Sequence, residues 1–175
     1  MRWLILTLAL VSAVTAAQPA PGNPYVPGES EGRPGDEQKP QLPPFPREEN
    51  LVRIESDRGA GFVFFVDLES VIVGSDGVVR YTRVARSDGG ATNIAYEGIR
   101  CAGRERRLYA LGRADKTWSA ARNQQWTSIS ELPDNRLQAR LHDAYFCPSR
   151  SIARDTEEAR MALKRGAHPR SEFRP

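Results

Sequence analysis

The sequence predicts an α+β domain: an antiparallel β-sheet of about five strands with two C-terminal helices and one disulfide. Three observations carry this expectation. Runs rich in β-branched and aromatic residues recur between residues 62 and 113, the final third changes to helical period, and the two cysteines, Cys101 and Cys147, fall one in each part.

Ahead of the domain, residues 1–17 comprise Arg2, an apolar run from 3 to 14, and the small residues Thr15, Ala16 and Ala17 before Gln18. These are the three regions of a secretory signal peptide, with cleavage expected after Ala17 and a periplasmic destination. The run is about a dozen residues, short of the ~20 that a spanning helix needs, so no transmembrane anchor is expected in the mature chain. The competing reading is a signal segment retained as an anchor. No cysteine follows the run closely, which argues against lipid attachment.

Residues 18–50 are crowded with Pro, Gly, Glu and Gln, and their sizeable apolar side chains are Tyr25, Val26, Leu42 and Phe45. This composition predicts a disordered linker. Two uses fit it, a plain spacer and a segment that docks onto a partner through Pro43, Pro44, Phe45 and Pro46, and the spacer is the simpler. Residues 51–175 then form a single exported domain, long enough for one hydrophobic core.

The strands expected within it cover 62–66, 71–73, 78–84, 92–101 and 106–113. Glycine-bearing turn clusters separate them at 74–77, 87–90 and 101–103, and such short connections make neighbouring strands antiparallel. Alternation between apolar and polar residues is imperfect along 106–113, so its buried face stays open.

Leu137, Leu141, Ala144 and Tyr145 recur at helical spacing after the start signals Pro133, Asp134 and Asn135, and that helix should run to Cys147 and stop at Pro148. A second helix has Asp155 as cap, Glu157 and Glu158 in its first turn, Lys164 and Arg165 in its last, and Gly166 beyond. Its apolar face, Ala159, Ala162 and Leu163, is thin, so it should dock beside Ile152. In an oxidising compartment Cys101 and Cys147 should pair.

The formal charge of +3 falls to +2 once Arg2 leaves with the signal, and acids are interspersed with the arginines, so nucleic acid is not an expected partner. A serine-hydrolase pattern in letters, Gly28-Glu29-Ser30-Glu31-Gly32, lies in the linker, where no strand and helix flank it. His142 and His168 have no second histidine or cysteine at ligand spacing, so no metal and no cofactor are expected. His142 beside Asp143 has the letters of an acid–base pair, and a wet helix face is its plainer setting.

The densest polar and aromatic constellation is Tyr96, Glu97 and Arg100 with Tyr109, Arg113, Trp118, Arg122, Asn123 and Trp126. It has two readings. In one, Tyr96, Glu97, Arg100, Trp118, Arg122 and Trp126 build a groove for a sugar or peptide, the rings supplying flat apolar area and the charges fixing orientation. In the other, the rings are packing and Glu97 pairs with an arginine. A hydrolase would need Glu97 beside a second carboxylate, with Asp67, Glu69 and Asp115 as the candidates. Arg100, Arg104, Arg106 and Arg107 form an anion-binding candidate that strand alternation would divide between two faces.

The series Asp76-Gly77-Val78-Val79-Arg80-Tyr81-Thr82, Tyr96-Glu97-Gly98-Ile99-Arg100-Cys101 and Leu108-Tyr109-Ala110-Leu111-Gly112-Arg113, continued by Trp118, Ala121-Arg122-Asn123, Trp126 and Tyr145-Phe146-Cys147-Pro148, resembles the cryptic-neisserial-protein-like (CNP-one-like) family of bacterial envelope proteins. The resemblance runs from about Phe62 onward. It implies an exported domain of a proteobacterial envelope and carries over no catalytic residue. Some members of that family are lipoproteins, and this chain departs from them in lacking the lipid-accepting cysteine. The expectation is a non-catalytic binding or structural module whose partner is an envelope protein or cell-wall component; the alternative is a small periplasmic hydrolase acting on cell-wall sugar or peptide.

Overall fold

A computed structural model describes residues 37–55, 61–130 and 135–172. The expected signal, its cleavage point, the linker up to residue 36 and the start signals Pro133 and Asp134 lie outside the described residues. A short 3-10 turn, Glu48–Asn50, leads into a sheet of seven strands: β1 (Leu51–Ile54), β2 (Phe62–Val73), β3 (Val78–Ser87), β4 (Thr92–Arg100), β5 (Glu105–Gly112), β6 (Trp118–Ala120) and β7 (Thr127–Ser128). β1 to β6 lie side by side in chain order, each antiparallel to the next, and β7 pairs with β5.

The α+β class is as expected, with more strands than the five read from the sequence. β2 joins two expected runs, 62–66 and 71–73, across an irregularity where the register to β3 shifts between Asp67 and Ile72. Ser70 holds that bend: its hydroxyl donates to the Asp67 carbonyl at 2.7 Å and accepts from the Thr82 N–H at 2.8 Å. β1, β6 and β7 are too short to show a period of their own.

Two helical segments close over one face. α1 (Arg136–Arg140) continues directly into a π-helical stretch, Leu141–Phe146, and Cys147 and Pro148 end it, as the sequence indicated. The wider π turn brings more side chains inward than an α turn does. Leu141, His142, Ala144, Tyr145 and Phe146 are all buried, and His142 is therefore not on a wet face. α2 (Thr156–Arg165) starts at Asp155, whose Oδ1 accepts the Glu158 N–H at 2.8 Å, while the Glu158 carboxylate returns to the Arg154 N–H. Gly166 ends it at φ +85°, the left-handed conformation a helix terminus uses. Ala159, Ala162 and Leu163 are buried and Ile152 packs beside them.

The core lies between the sheet and these helices. Val66, Val71, Val79, Tyr81 and Ile99 meet Leu141, Ala144, Phe146 and Leu163, and the rings of Tyr81 and Phe146 pack 5.3 Å apart. The Cys101–Cys147 disulfide ties the end of β4 to the end of the π-helical stretch across 46 residues. Closing a loop of that length is worth about 4 kcal/mol in the chain-entropy view. Reducing the bond, or replacing both cysteines by alanine, is accordingly expected to lower the unfolding free energy by roughly 2–4 kcal/mol. Paired urea titrations of oxidised and reduced protein measure this, and coincident midpoints would show that the helices hold without the staple.

Candidate functional site

Strand alternation gives the sheet two unlike faces. Along the β3–β4 register, Tyr81 stands opposite Glu97 and Val79 opposite Ile99, and these point to the helices; Arg80 opposite Gly98 and Thr82 opposite Tyr96 point the other way. On β5, Gly98 faces Arg107 and Tyr96 faces Ala110, with a bulge between that admits the extra residue Tyr109. The second face therefore gathers Arg80, Tyr96, Arg107, Tyr109 and Ala110, and Trp118 of β6 packs onto it. Gly98 is what lets the Tyr109 ring lie flat there, because a Cβ at 98 would come within 2.6 Å of its Oη.

Residues 37–47, read from composition as part of a linker, cross this second face as an arm without helix or strand. Phe45 packs on Trp118 with ring centroids 5.4 Å apart, and Trp118 Nε1 donates to the Pro43 carbonyl at 2.9 Å. Gly112 makes the seat: a Cβ there would stand 3.0 Å from Phe45 Cε2 and 2.8 Å from Ile94 Cβ. Proline-rich composition hid this docking because the arm's partners lie 37 to 89 residues ahead in the chain.

At the arm's beginning, Glu37 is the centre of the site. Its Oε1 accepts from Tyr109 Oη at 2.6 Å, and its Oε2 accepts from Trp126 Nε1 at 3.0 Å and from Arg107 Nη1. Arg80 Nη2 stands 3.7 Å from Oε1. Next along, the Gln38 carbonyl accepts from Arg80 Nη2 at 2.9 Å, and the Gln38 N–H and side chain reach Asp76 Oδ2 and Ser75 Oγ, each at 2.8 Å. At its far end, Glu48 pairs with Arg86.

Electrostatics support the seat from below. Arg80 is 4% exposed and is bonded by Asp76, with Nη2 to Oδ2 at 2.5 Å. Burial pulls the Asp76 carboxyl up, but the Arg80 hydrogen bonds and charge outweigh it and hold that carboxyl below its ordinary value. Burial, with the Glu37 carboxylate as acceptor, pushes the Tyr109 hydroxyl well above the ordinary phenol range, so it stays a donor. Arg100 lies over the Trp126 ring at 4.1 Å and pairs with Glu105 at 3.1 Å.

Of the six residues singled out in the sequence, the structure brings four to this face: Tyr96, Arg100, Trp118 and Trp126. Arg122 is exposed in the connection between β6 and β7. Glu97 is on the opposite face, 2% exposed, where its carboxylate accepts from Arg83 Nε, Tyr81 Oη and Gln138 Nε2, each at 3.0 Å. Its candidate companions do not join it. Asp67 is buried on the arm's side of the sheet, Glu69 is exposed, and exposed Asp115 bonds Thr117 in the β5–β6 turn. A sealed carboxylate that already accepts three hydrogen bonds is not placed to exchange protons with a substrate. Arg106 and Arg107 divide between the two faces, as alternation requires, and Arg104 turns away to Asp143. The residue that the sequence did not offer was Glu37, which no local period or motif marks.

The signature of the CNP1-like family matches residues 30–164, which is most of the chain and includes the arm, the sheet and nearly all of α2. The chain belongs to the CNP1-like family. No curated protein and no solved structure matches it. Membership in the CNP1-like family agrees with the resemblance drawn from the ordered series between Asp76 and Pro148, and extends it toward the N-terminus through the whole arm.

Glu97 generates a pH test. Burial acts to raise its carboxyl, yet Arg83 and the three hydrogen bonds outweigh burial and hold it below the ordinary range. A carboxylate whose folded pKa is depressed adds stability that is complete above its unfolded value and is lost as pH falls through the folded one. The unfolding free energy should thus decline below roughly pH 4.3. Glu97→Gln should remove part of that slope and cost about 3 kcal/mol at neutral pH by leaving Arg83 without its anion. Denaturation of both forms from about pH 3 to about pH 7, the range over which carboxylates titrate, would reject the ion pair if the two curves ran parallel.

Proposed function

We propose that this chain is an exported, periplasmic member of the CNP1-like family that works as a non-catalytic binding or structural module of the bacterial envelope. The observation that carries the reading is the arm-covered face, where Trp118, Trp126, Tyr109, Arg80 and Arg107 engage an extended, proline-containing segment through its Glu37 carboxylate and its carbonyls. Rings and arginines concentrated on one surface are the chemistry of recognition. Their hydrogen-bond donors converge on a peptide carboxylate and a peptide carbonyl, an arrangement suited to holding a chain in place.

Export is supported by the apolar run with its small residues before Gln18, and by a disulfide, which oxidising compartments preserve and the cytosol does not. Among the described residues no helix is long and apolar enough to cross a membrane.

Fractionation of cells producing the tagged chain tests the compartment: the mature protein is expected in the osmotic-shock fluid with Gln18 as its first residue by mass. Intact protein beginning at Met1 and held in the membrane fraction would make the segment an anchor. Crosslinking in living cells tests the module: a single envelope protein or wall fragment should be captured reproducibly and lost in Trp126→Ala and Arg107→Ala variants that melt like the wild type. Capture unchanged by either variant would move the binding surface elsewhere.

A further inference from the structure

The seat of Glu37 is better equipped than its occupant requires. Arg80 approaches the carboxylate only to 3.7 Å, outside hydrogen-bond range, and the Nε atoms of Arg80 and Arg107 are buried with no hydrogen-bond partner in the structure. Two guanidinium forks, a phenol and an indole N–H thus surround one carboxylate, and part of their donor capacity is idle. Buried donors left unmade are costly, which is a pressure toward a ligand that uses them.

The arm is also attached in a way that permits exchange. No residue from 37 to 47 joins a strand ladder; the arm is held by side chains, by single carbonyls and by the Phe45 ring in the gap over Gly112. Its removal leaves the seven-stranded sheet and the helix-side core whole. What it would leave behind is charge. Asp76 serves Arg80 and Glu105 serves Arg100, but the ion pair described for Arg107 is with Glu37. An incoming segment must therefore bring an acid to this point.

Building on the binding-module reading, we infer that the Glu37 seat is a receptor for an extended, proline-containing segment of a partner protein that presents one acidic side chain, and that the chain's own arm occupies it as a displaceable stand-in. The recognised pattern is an acidic side chain at the seat and an aromatic ring eight residues later over Gly112, with a carbonyl for Trp118 Nε1 two residues before the ring. A second copy's arm offers the same contacts as the tethered one without its high effective concentration. The displacing segment is one that engages the idle guanidinium nitrogens as well.

The test uses the full mature chain with its disulfide intact. The double variant Glu37→Ala/Phe45→Ala releases the arm, and the probe is a synthetic peptide with the sequence of residues 34–47, followed by tryptophan fluorescence and calorimetry. The variant should bind the peptide saturably, a peptide carrying Glu37→Gln should bind at least tenfold more weakly, and the wild type should bind the parent peptide at least tenfold more weakly than the variant does. A variant that melts cooperatively and binds neither peptide overturns the inference and makes the arm a fixed latch. If the double variant does not fold, Glu37→Gln alone, which keeps Phe45 in its seat, must still show saturable binding of the parent peptide, and its absence overturns the inference equally. Concentration-dependent dimers of the wild type that the peptide dissolves would assign the seat to the arm of a second copy and overturn the separate partner. Peptide binding in vitro without capture in cells would remove the envelope role and leave the seat; capture in cells without peptide binding would remove the seat alone.

Discussion

The carboxylate of Glu97 enters the helix side of the sheet as a charge, and the helices close over it because both of its oxygens are met. Arg83 and Tyr81 reach it from β3, the neighbouring strand, and Gln138 reaches it from α1, so the same group fixes the β3–β4 pairing and the seat of the first helix. Once α1 is pinned there, its π-helical continuation turns Leu141, Ala144 and Phe146 onto the sheet and delivers Cys147 to Cys101. A buried ion pair of this kind adds little to net stability, since desolvation offsets most of the attraction. Its effect is on uniqueness: a one-residue slip of β4 would expose Tyr96 to the helices and strand Arg83 without an anion.

One residue along the same strand, the opposite face repeats the chemistry with a different tether. Glu97 is received by a tyrosine, an arginine and an amide N–H; Glu37 is received by a tyrosine, an arginine and an indole N–H. The first carboxylate is built into a central strand and cannot leave without unmaking the ladder. The second arrives on a segment outside any ladder, held by side chains and by single backbone groups. Equal local chemistry thus yields a permanent element of structure on one face and an exchangeable contact on the other, and the difference lies in backbone pairing.

Much of this architecture was legible in the sequence because it is local. The five longer runs of β-branched and aromatic residues became β2 to β5, and Asp155 and Gly166 bounded α2 as caps do. β1, β6 and β7 were not legible, since strands of two to four residues carry no readable period and form only because a longer neighbour offers an open edge. His142 was misplaced because an α-helical period was assumed where the chain widens to a π turn. Grouping Tyr96 with Glu97 in one site overlooked the alternation that must send adjacent strand residues to opposite faces, a signal that was available. Phe45 stood among the residues read as able to dock, but that it and Glu37 seat on the chain's own sheet was beyond local reading, because their partners converge only through the β5 bulge, Gly112 and the loop that carries Trp126.

The tether is what gives the arm-covered face its character. Phe45 is joined to β1 through the short turn at Glu48–Asn50, so its local concentration over Gly112 is in the millimolar range or higher for a flexible connection of that length. Any segment competing for the face meets that concentration as a threshold, and a weak or sparse one is excluded. The contacts that set the threshold are spread along the arm: an ion pair at Glu48, a ring at Phe45, a carbonyl at Pro43 and the carboxylate at Glu37. They need not release together. Glu37 is farthest from the anchored turn and lies in a seat whose donors are only partly used, so exchange is easiest to begin at that end, with Phe45 and Glu48 still holding the rest. A face guarded in this way opens progressively toward its tether, and selects for length and for an acid at the seat in whatever replaces the arm.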